Sequence, residues 1–266
     1  MPGRWFQRIL AAYVCIAVAF LLLPELIVVG VSFNPTSRMV MSWTEMSLRW
    51  YAALVEDRSL LNAFGYSLGL AIFVTLCSTL LGGLVAYWVA RHGGRFAAIV
   101  TATFVAPLVI PATALGVALF MFLNRLGFTD SVLGLVAGHI LVTLPYTFRT
   151  LLAAIAGVDR ALEEAALSLG ATRTMMVRRV ILPLIRPGFL AAALFSMIVS
   201  IEEFTISLFV GGRNAGTIPL EIYNATEYGL TPIVAAVSTL LIAVSSIAII
   251  VLDKSIGLNA AYSVRR

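Results

Sequence analysis

Two adjacent carboxylates, Glu202 and Glu203, stand in a stretch with no Lys or Arg between Arg186 and Arg213. Read as part of an apolar span, they lie about 15 residues beyond Pro187, roughly 20 Å into a hydrocarbon layer about 30 Å thick. An unpaired charge at that depth costs about 2.5–3.5 kcal/mol even on insertion scales. Such a pair must face water, a partner subunit or a cation. The chemistry it offers is transient pairing with a cation inside the membrane. The other reactive residue types are scattered. His92 and His139 form no ligand-spaced set with Cys15, Cys77 or a carboxylate. Ser, Thr and Tyr fall in no nucleophile elbow. There is no phosphate loop, because the one lysine, Lys254, precedes Ser255 without a glycine-rich lead. The residues thus show no metal-ligand set, no acid–base pair with a nucleophile and no nucleotide site of that kind, and an intramembrane enzyme stays only as an alternative.

The elements that must position these carboxylates are membrane helices. Of 266 residues, 61% are hydrophobic and 12% charged, and the mean hydropathy is +1.00. A soluble domain carries about 45–50% apolar and about 25% charged residues. Soluble, disordered and coiled-coil classes are excluded, and the chain is expected to be an all-α, polytopic membrane protein. Runs of about 20 apolar residues predict six spans, near 9–31, 65–90, 97–123, 131–154, 188–211 and 232–252. Pro107, Pro111 and Pro145 fall inside spans, where neighbours can satisfy the freed carbonyls. Gly82-Gly83, and Gly116 with Ala112, suit close helix contact. The chain is expected to form one transmembrane domain over 1–266. It comprises a first helix with an outer loop (1–62), a five-helix core (63–252) and a cytoplasmic loop (157–183).

Basic residues orient the spans. With the N-terminus inside, 13 of the 18 Lys and Arg residues lie on the cytoplasmic side and 5 outside. Both termini are then cytoplasmic. The net charge of +5 sits in short loops and reads as topology, with no nucleic-acid partner implied. Arg4 and Arg8 before an apolar run resemble a signal peptide. The run continues through Leu26-Ile27-Val28-Val29 with no Ala-x-Ala site after it, so an uncleaved first helix is expected.

The long cytoplasmic loop runs from Asp159 through Glu163-Glu164-Ala165-Ala166 to Gly170. Asp159 suits an N-cap, and Glu163 and Glu164 lie near the positive end of the helix dipole. Leu162, Ala165, Ala166 and Leu169 recur at i, i+3, i+4 and i+7, which predicts one narrow apolar stripe. Gly170 suits a left-handed C-terminal cap. A basic helix over 172–180 is expected next, beyond a sharp bend and still outside the membrane, ending at Ile181-Leu182-Pro183. An Ala-rich stripe without Trp or Phe fits a protein groove better than lipid.

The pattern Glu164-Ala165-Ala166, Gly170, Val180, Leu182-Pro183 resembles the EAA loop of bacterial ABC importer permeases, with Val180 where the family has Ile. The resemblance covers most of the chain. Ser32-Phe33-Asn34, Leu48-Arg49-Trp50-Tyr51, Asn62 to Leu68, Ser200-Ile201-Glu202-Glu203 and Thr217 to Tyr223 are similar to the C-type permease of spermidine/putrescine importers. Asn62 and Gly65-Tyr66 match the usual start of span two only loosely.

The resemblance implies a MetI-like type I importer transmembrane domain in a bacterial inner membrane. Glu163, Glu164, Ala165, Ala166, Leu169, Gly170, Leu182 and Pro183 are then the segment that couples to an ATPase. Glu202 and Glu203 are the candidates for the substrate pathway. The chain itself would carry no cofactor; ATP and Mg would be bound by partner ATPases. The implied partners are a second, different permease, two ATP-binding subunits, an external substrate-binding protein and the bilayer. Outer-loop carboxylates Glu45, Glu56, Asp57, Asp130, Glu221 and Glu227, with Glu202 and Glu203, total 8 against 5 outer Arg. This favours a cationic cargo such as a polyamine. The alternatives are a secondary transporter, for which the expected inverted repeats are not visible, or the same permease class carrying iron, an amino-acid-like compound or an opine.

Overall fold

The computed structural model describes residues 4–41, 45–128, 130–212, 216–227, 229 and 231–256. Every regular element among them is helical. The chain divides into two compact units, residues 1–61 with 221–246, and residues 62–220 with 247–266.

In the first unit, α1 (Arg4–Ser32) is a 29-residue helix. Its apolar side chains are exposed along nearly its whole length, Phe20 at 76% and Leu21 at 70% among them. Water does not tolerate such a surface, whereas lipid does. Beyond it, Asn34 organises the chain. Its Oδ1 accepts from the Thr36 N–H at 2.7 Å and from the Thr36 hydroxyl at 2.9 Å, and its Nδ2 donates to the carbonyls of Arg38 and Val40. Trp50 Nε1 donates to Asn34 O at 2.7 Å, and Arg49 donates to Pro35 O at 2.6 Å. The Ser32 hydroxyl meets the Tyr51 hydroxyl at 2.7 Å. Helix α2 (Arg49–Glu56) is thus tied back to the end of α1. Two of the segments that resemble the polyamine permeases, 32–34 and 48–51, thus bind one another.

The second unit contains most of the residues from α3 (Arg58–Arg91) onward. The next apolar stretch departs from expectation. In place of one span over 97–123, α4 (Arg95–Val105) with a 3-10 turn (Ala106–Leu108) and α5 (Ala112–Arg125) meet at 104°. Pro107 and Pro111 lack N–H groups, and Pro111 disfavours the helical conformation at Ile110. Two prolines four residues apart therefore end one helix and start another. Helix α6 (Val132–Ala156) is capped by Ser131, whose hydroxyl accepts from Gly134 N–H at 3.0 Å.

After α7 (Arg160–Ser168) the chain turns at Gly170, as expected, but the basic segment over 172–180 is not a separate helix outside the membrane. Helix α8 (Arg173–Met176), a π turn (Val177–Ile181) and α9 (Leu182–Glu202) form one 30-residue run, Arg173–Glu202. Pro183 removes the N–H that Arg179 O would receive in α register, and a wider turn is one way a helix absorbs this. The expected span 188–211 is likewise corrected at its other end. The helix stops at Glu202, breaks at Glu203-Phe204 and resumes as α10 (Thr205–Val210). Helices α11 (Ile218–Glu227) and α12 (Pro232–Ile256) complete the described chain. Among the described residues, five helices are long and apolar enough to cross a membrane, or six spans if the bent α4–α5 pair is one.

Small residues set the packing of this unit. A Cβ added to Gly82 would lie 2.6 Å from Thr147 Oγ1, one on Gly116 would lie 2.8 Å from Phe209, and one on Gly188 would overlap the Ala154 Cβ. These approaches bring α3 and α9 onto α6, and α5 onto α10. Close backbone approach is how helices associate where burial from water gives no drive. Ala86, Phe148, Leu151, Ile155, Ile181, Ile185 and Ala192 fill the core between α3, α6 and α9. Ser67 on α3 accepts from the Ile218 N–H at 2.8 Å, fastening the start of α11.

Candidate functional site

Helix α7 starts where Asp159 Oδ1 accepts from the Ala161 N–H at 2.9 Å. It ends in a full Schellman motif. The Ala171 N–H bonds to Ala166 O at 3.1 Å and the Gly170 N–H to Leu167 O at 3.0 Å, with Gly170 at φ +85°. Thr172 then caps the next helix, accepting from the Met175 N–H at 3.2 Å. The helix is therefore a rigid, nine-residue block with both ends satisfied.

Its two faces differ. Glu163 is turned inward and is only 8% exposed. Its carboxylate accepts from Arg91 Nε at 2.6 Å and from the Tyr87 hydroxyl at 3.0 Å, and also pairs with Arg91 Nη2. Arg91 Nη2 reaches Val158 O at 3.5 Å as well. In the reverse direction, Arg160 donates to Ala90 O at 3.2 Å and Arg91 O at 2.8 Å, the last carbonyls of α3. A cation there also meets the negative end of the helix dipole. Two arginines, one from each element, thus clamp α7 to the end of α3. A cavity of about 300 Å³ lies beside the clamp, lined by Arg91, His92, Arg160, Glu163, Glu164 and Arg173 among others.

The expected four-residue stripe is split by this arrangement. Ala166 packs on the core, whereas Leu162, Glu164, Ala165 and Leu169 are exposed, Leu169 at 89%. Glu163 and Glu164, adjacent in sequence, therefore face opposite environments. Leu182 is exposed at 43%, and Leu182 and Pro183 open α9 next to the buried Ile181. Arg91 reads from sequence as a topology charge and Tyr87 carries no signal at all. Their partner lies 72 and 76 residues away in the chain, beyond the reach of any local pattern.

The second candidate site is the break between α9 and α10. Glu203 Oε1 accepts from the Ile206 N–H at 3.0 Å, so this carboxylate caps α10. It is half-buried, and Glu202, the last residue of α9, is exposed. The two carboxylates stand at a helix end, where the sequence places them inside a continuous span. His139 is fully buried beside them, with Nδ1 3.0 Å from Ser200 Oγ and Nε2 3.2 Å from Ser207 Oγ. Among the described residues, no group of His, Cys, Asp and Glu could hold a metal ion.

The chain is 31% identical over 254 residues to the spermidine/putrescine transport system permease protein PotC of Haemophilus influenzae, covering 96% of this chain and 97% of that one. It is 30% identical to the putrescine transport system permease protein PotI of Escherichia coli, covering 84% and 82%. Its fold is similar to a chain of a bacterial ABC transporter that imports the acidic polysaccharide alginate, with a TM-score of 0.71, 16% identity and coverage of 94% and 96%. A second likeness is to the MetNI methionine ABC transporter in an inward-facing conformation, with a TM-score of 0.57, 21% identity and coverage of 76% and 98%. Residues 78–257 match the family described as binding-protein-dependent transport system inner membrane component. This chain belongs to that family, as a multi-pass, MetI-like permease subunit of an ABC importer in the inner membrane.

Proposed function

We propose that this permease forms half of the pathway of an ATP-driven polyamine importer and receives the motion of its ATPase through α7. The observation that carries the coupling role is the division of α7. One face is clamped to α3 by Arg91, Glu163 and Arg160. The other exposes Leu162, Ala165 and Leu169 at helical spacing. An exposed apolar face on a rigid, capped block asks for a protein cover, and the clamp would pass a push on that face into a membrane helix. Glu164, Ala165, Leu169 and Gly170 then contact or shape the docking surface. Glu163 and Ala166 hold it to the membrane part, and Leu182 and Pro183 would continue the coupling segment where the chain enters the membrane helix. The chain itself would supply no ATP site; a separate pair of ATP-binding subunits would bind ATP and Mg. A second, different permease would complete the pathway and an external binding protein would deliver solute. Both termini would be cytoplasmic.

The cargo reading rests on the relatives and on the α9–α10 break. The C-terminal end of α9 presents the negative end of its dipole, and Glu202 stands there. Carbonyls and a carboxylate at a broken helix suit an ammonium group entering from water. The acidic balance of the outer loops would concentrate cations at the mouth. Weak pairing is what transport needs, since a deep well would hold the solute.

The test uses the importer reconstituted in liposomes with its ATPase, second permease and binding protein. Glu202→Gln with Glu203→Gln is expected to slow spermidine and putrescine uptake by tenfold or more (about 1.4 kcal/mol in the barrier), while the complex stays assembled. The amide oxygen of a glutamine at position 203 can still cap α10, so the loss would report charge. Wild-type uptake by the double variant would refute the pathway role. An anionic ligand on the native binding protein would refute the cationic cargo.

A further inference from the structure

One imidazole joins both sides of the break in the fifth span. His139 on α6 is 0% exposed. Its Nδ1 lies 3.0 Å from Ser200 Oγ, in the last turn of α9, and its Nε2 lies 3.2 Å from Ser207 Oγ, in the first turn of α10. The Ser207 hydroxyl also donates to Glu203 O at 2.8 Å. A hydroxyl has one proton. With that proton on Glu203 O, Ser207 offers His139 only a lone pair, so His139 Nε2 must carry the hydrogen. In the neutral ring Nδ1 is then an acceptor, and it takes the Ser200 proton. The chain of bonds has one direction, from Ser200 to His139 to Ser207 to Glu203 O.

The ring has little freedom to leave this place. The neighbouring Gly138 packs so closely on α10 that an added Cβ would overlap the Ile206 side chain. Behind it the Thr143 hydroxyl donates to His139 O at 2.8 Å and meets Ser78 Oγ at 2.6 Å. Thr147 donates to Ser78 O at 3.0 Å, so the network reaches α3. The backbone at Glu203 is held by Ser207, its carboxylate by the Ile206 N–H. Both halves of the break meet α6 at this one side chain.

We propose that His139 is a positioning residue of the solute pathway. In its neutral, Nε2-protonated form it holds α9 and α10 in the register that places Glu202 and Glu203. It acts through Ser200 and Ser207. This rests on the pathway reading of the two carboxylates, but its test does not.

The experiment uses the whole reconstituted importer with Cys15 and Cys77 replaced and Glu202→Cys as a reporter. A small cationic methanethiosulfonate is added from outside, and the labelling rate of residue 202 is measured. His139→Leu removes both bonds and is expected to change that rate by about tenfold, the scale of two buried hydrogen bonds. His139→Gln, whose amide NH2 can reach the Nε2 position, is expected to stay within about twofold of wild type. Ser200→Ala, which removes the hydroxyl bonded to His139 Nδ1, is expected to move the rate in the same direction as His139→Leu, and to add nothing when combined with it. Size-exclusion profiles check that each complex is intact. If His139→Leu does not assemble, Ser200→Ala alone decides, because it deletes only the hydroxyl bonded to His139 Nδ1. An unchanged labelling rate in intact His139→Leu or Ser200→Ala complexes would overturn the proposal, as would Gln behaving like Leu. Failure of Glu202→Gln with Glu203→Gln to slow uptake would sink the pathway reading and leave these labelling results standing.

Discussion

Replacing Glu163 by Leu should uncouple ATP hydrolysis from transport without unfolding the permease. The substitution removes a bond to Arg91 Nε at 2.6 Å, the pairing with Arg91 Nη2 and the Tyr87 hydroxyl bond at 3.0 Å. It leaves the Arg91 guanidinium without its carboxylate, with 11% of that side chain exposed. Breaking a buried pair by removing one partner costs about 3–5 kcal/mol. The residual exposure and the adjoining cavity favour the lower end, about 3 kcal/mol. That energy is lost from the attachment of α7 to α3, where it corresponds to roughly a hundredfold shift toward a detached helix. The membrane core of Phe148, Leu151 and Ile155 is untouched. The expected result in proteoliposomes is ATPase activity near wild type with several-fold less solute imported per ATP. Arg91→Leu should do the same. Arg91→Leu with Glu163→Leu should recover part of the loss, since neither charge is then stranded, giving a coupling energy of about 2 kcal/mol. Strictly additive losses, or a wild-type ratio of uptake to ATP in Glu163→Leu, would refute the clamp as the route of coupling.

Three further outcomes are expected. Gly170→Pro, or Glu164→Arg on the exposed face, should abolish uptake while the protein still inserts. Proline cannot adopt the φ of +85° found at residue 170, and normal uptake by both variants, measured with ATPase co-purification, would count against α7 as the docking element. Gly188→Ala should lower the melting temperature of the purified complex through overlap with Ala154, at a cost of about 1–3 kcal/mol. Adding Ala154→Gly should restore it, and no recovery would show that the α6–α9 contact is misassigned. Single cysteines at Met46 and Glu56 should react with an impermeant thiol reagent from outside, and those at His92 and Thr172 should not. Labelling at 172 would reverse the orientation.

Some of this protein is written locally. Apolar runs of about 20 residues identify membrane helices because a bilayer tolerates no unsatisfied backbone, and α1, α3, α6 and α12 fall close to where those runs predict. Asp159 and Gly170 bound α7 because capping is decided within a few residues by side-chain reach and by which residue accepts a positive φ. The family was legible for the same reason: its motif is a capped helix of fixed length. The breaks were not. Pro107 and Pro111 announce a disturbance, but a 104° turn requires that neighbouring helices cover the freed carbonyls. Helix α9 ends at Glu202 although the apolar run continues, and the side chain that bridges the two halves of the break, His139, lies 61 residues before Ser200 and 68 before Ser207. Glu163 and Glu164 are the same residue type one position apart, yet only the fold turns one inward to Arg91 and leaves the other exposed. Composition and periodicity follow from each residue's own affinity for water or lipid. Partners that meet from distant points of the chain depend on how whole helices pack, and that only the tertiary structure decides.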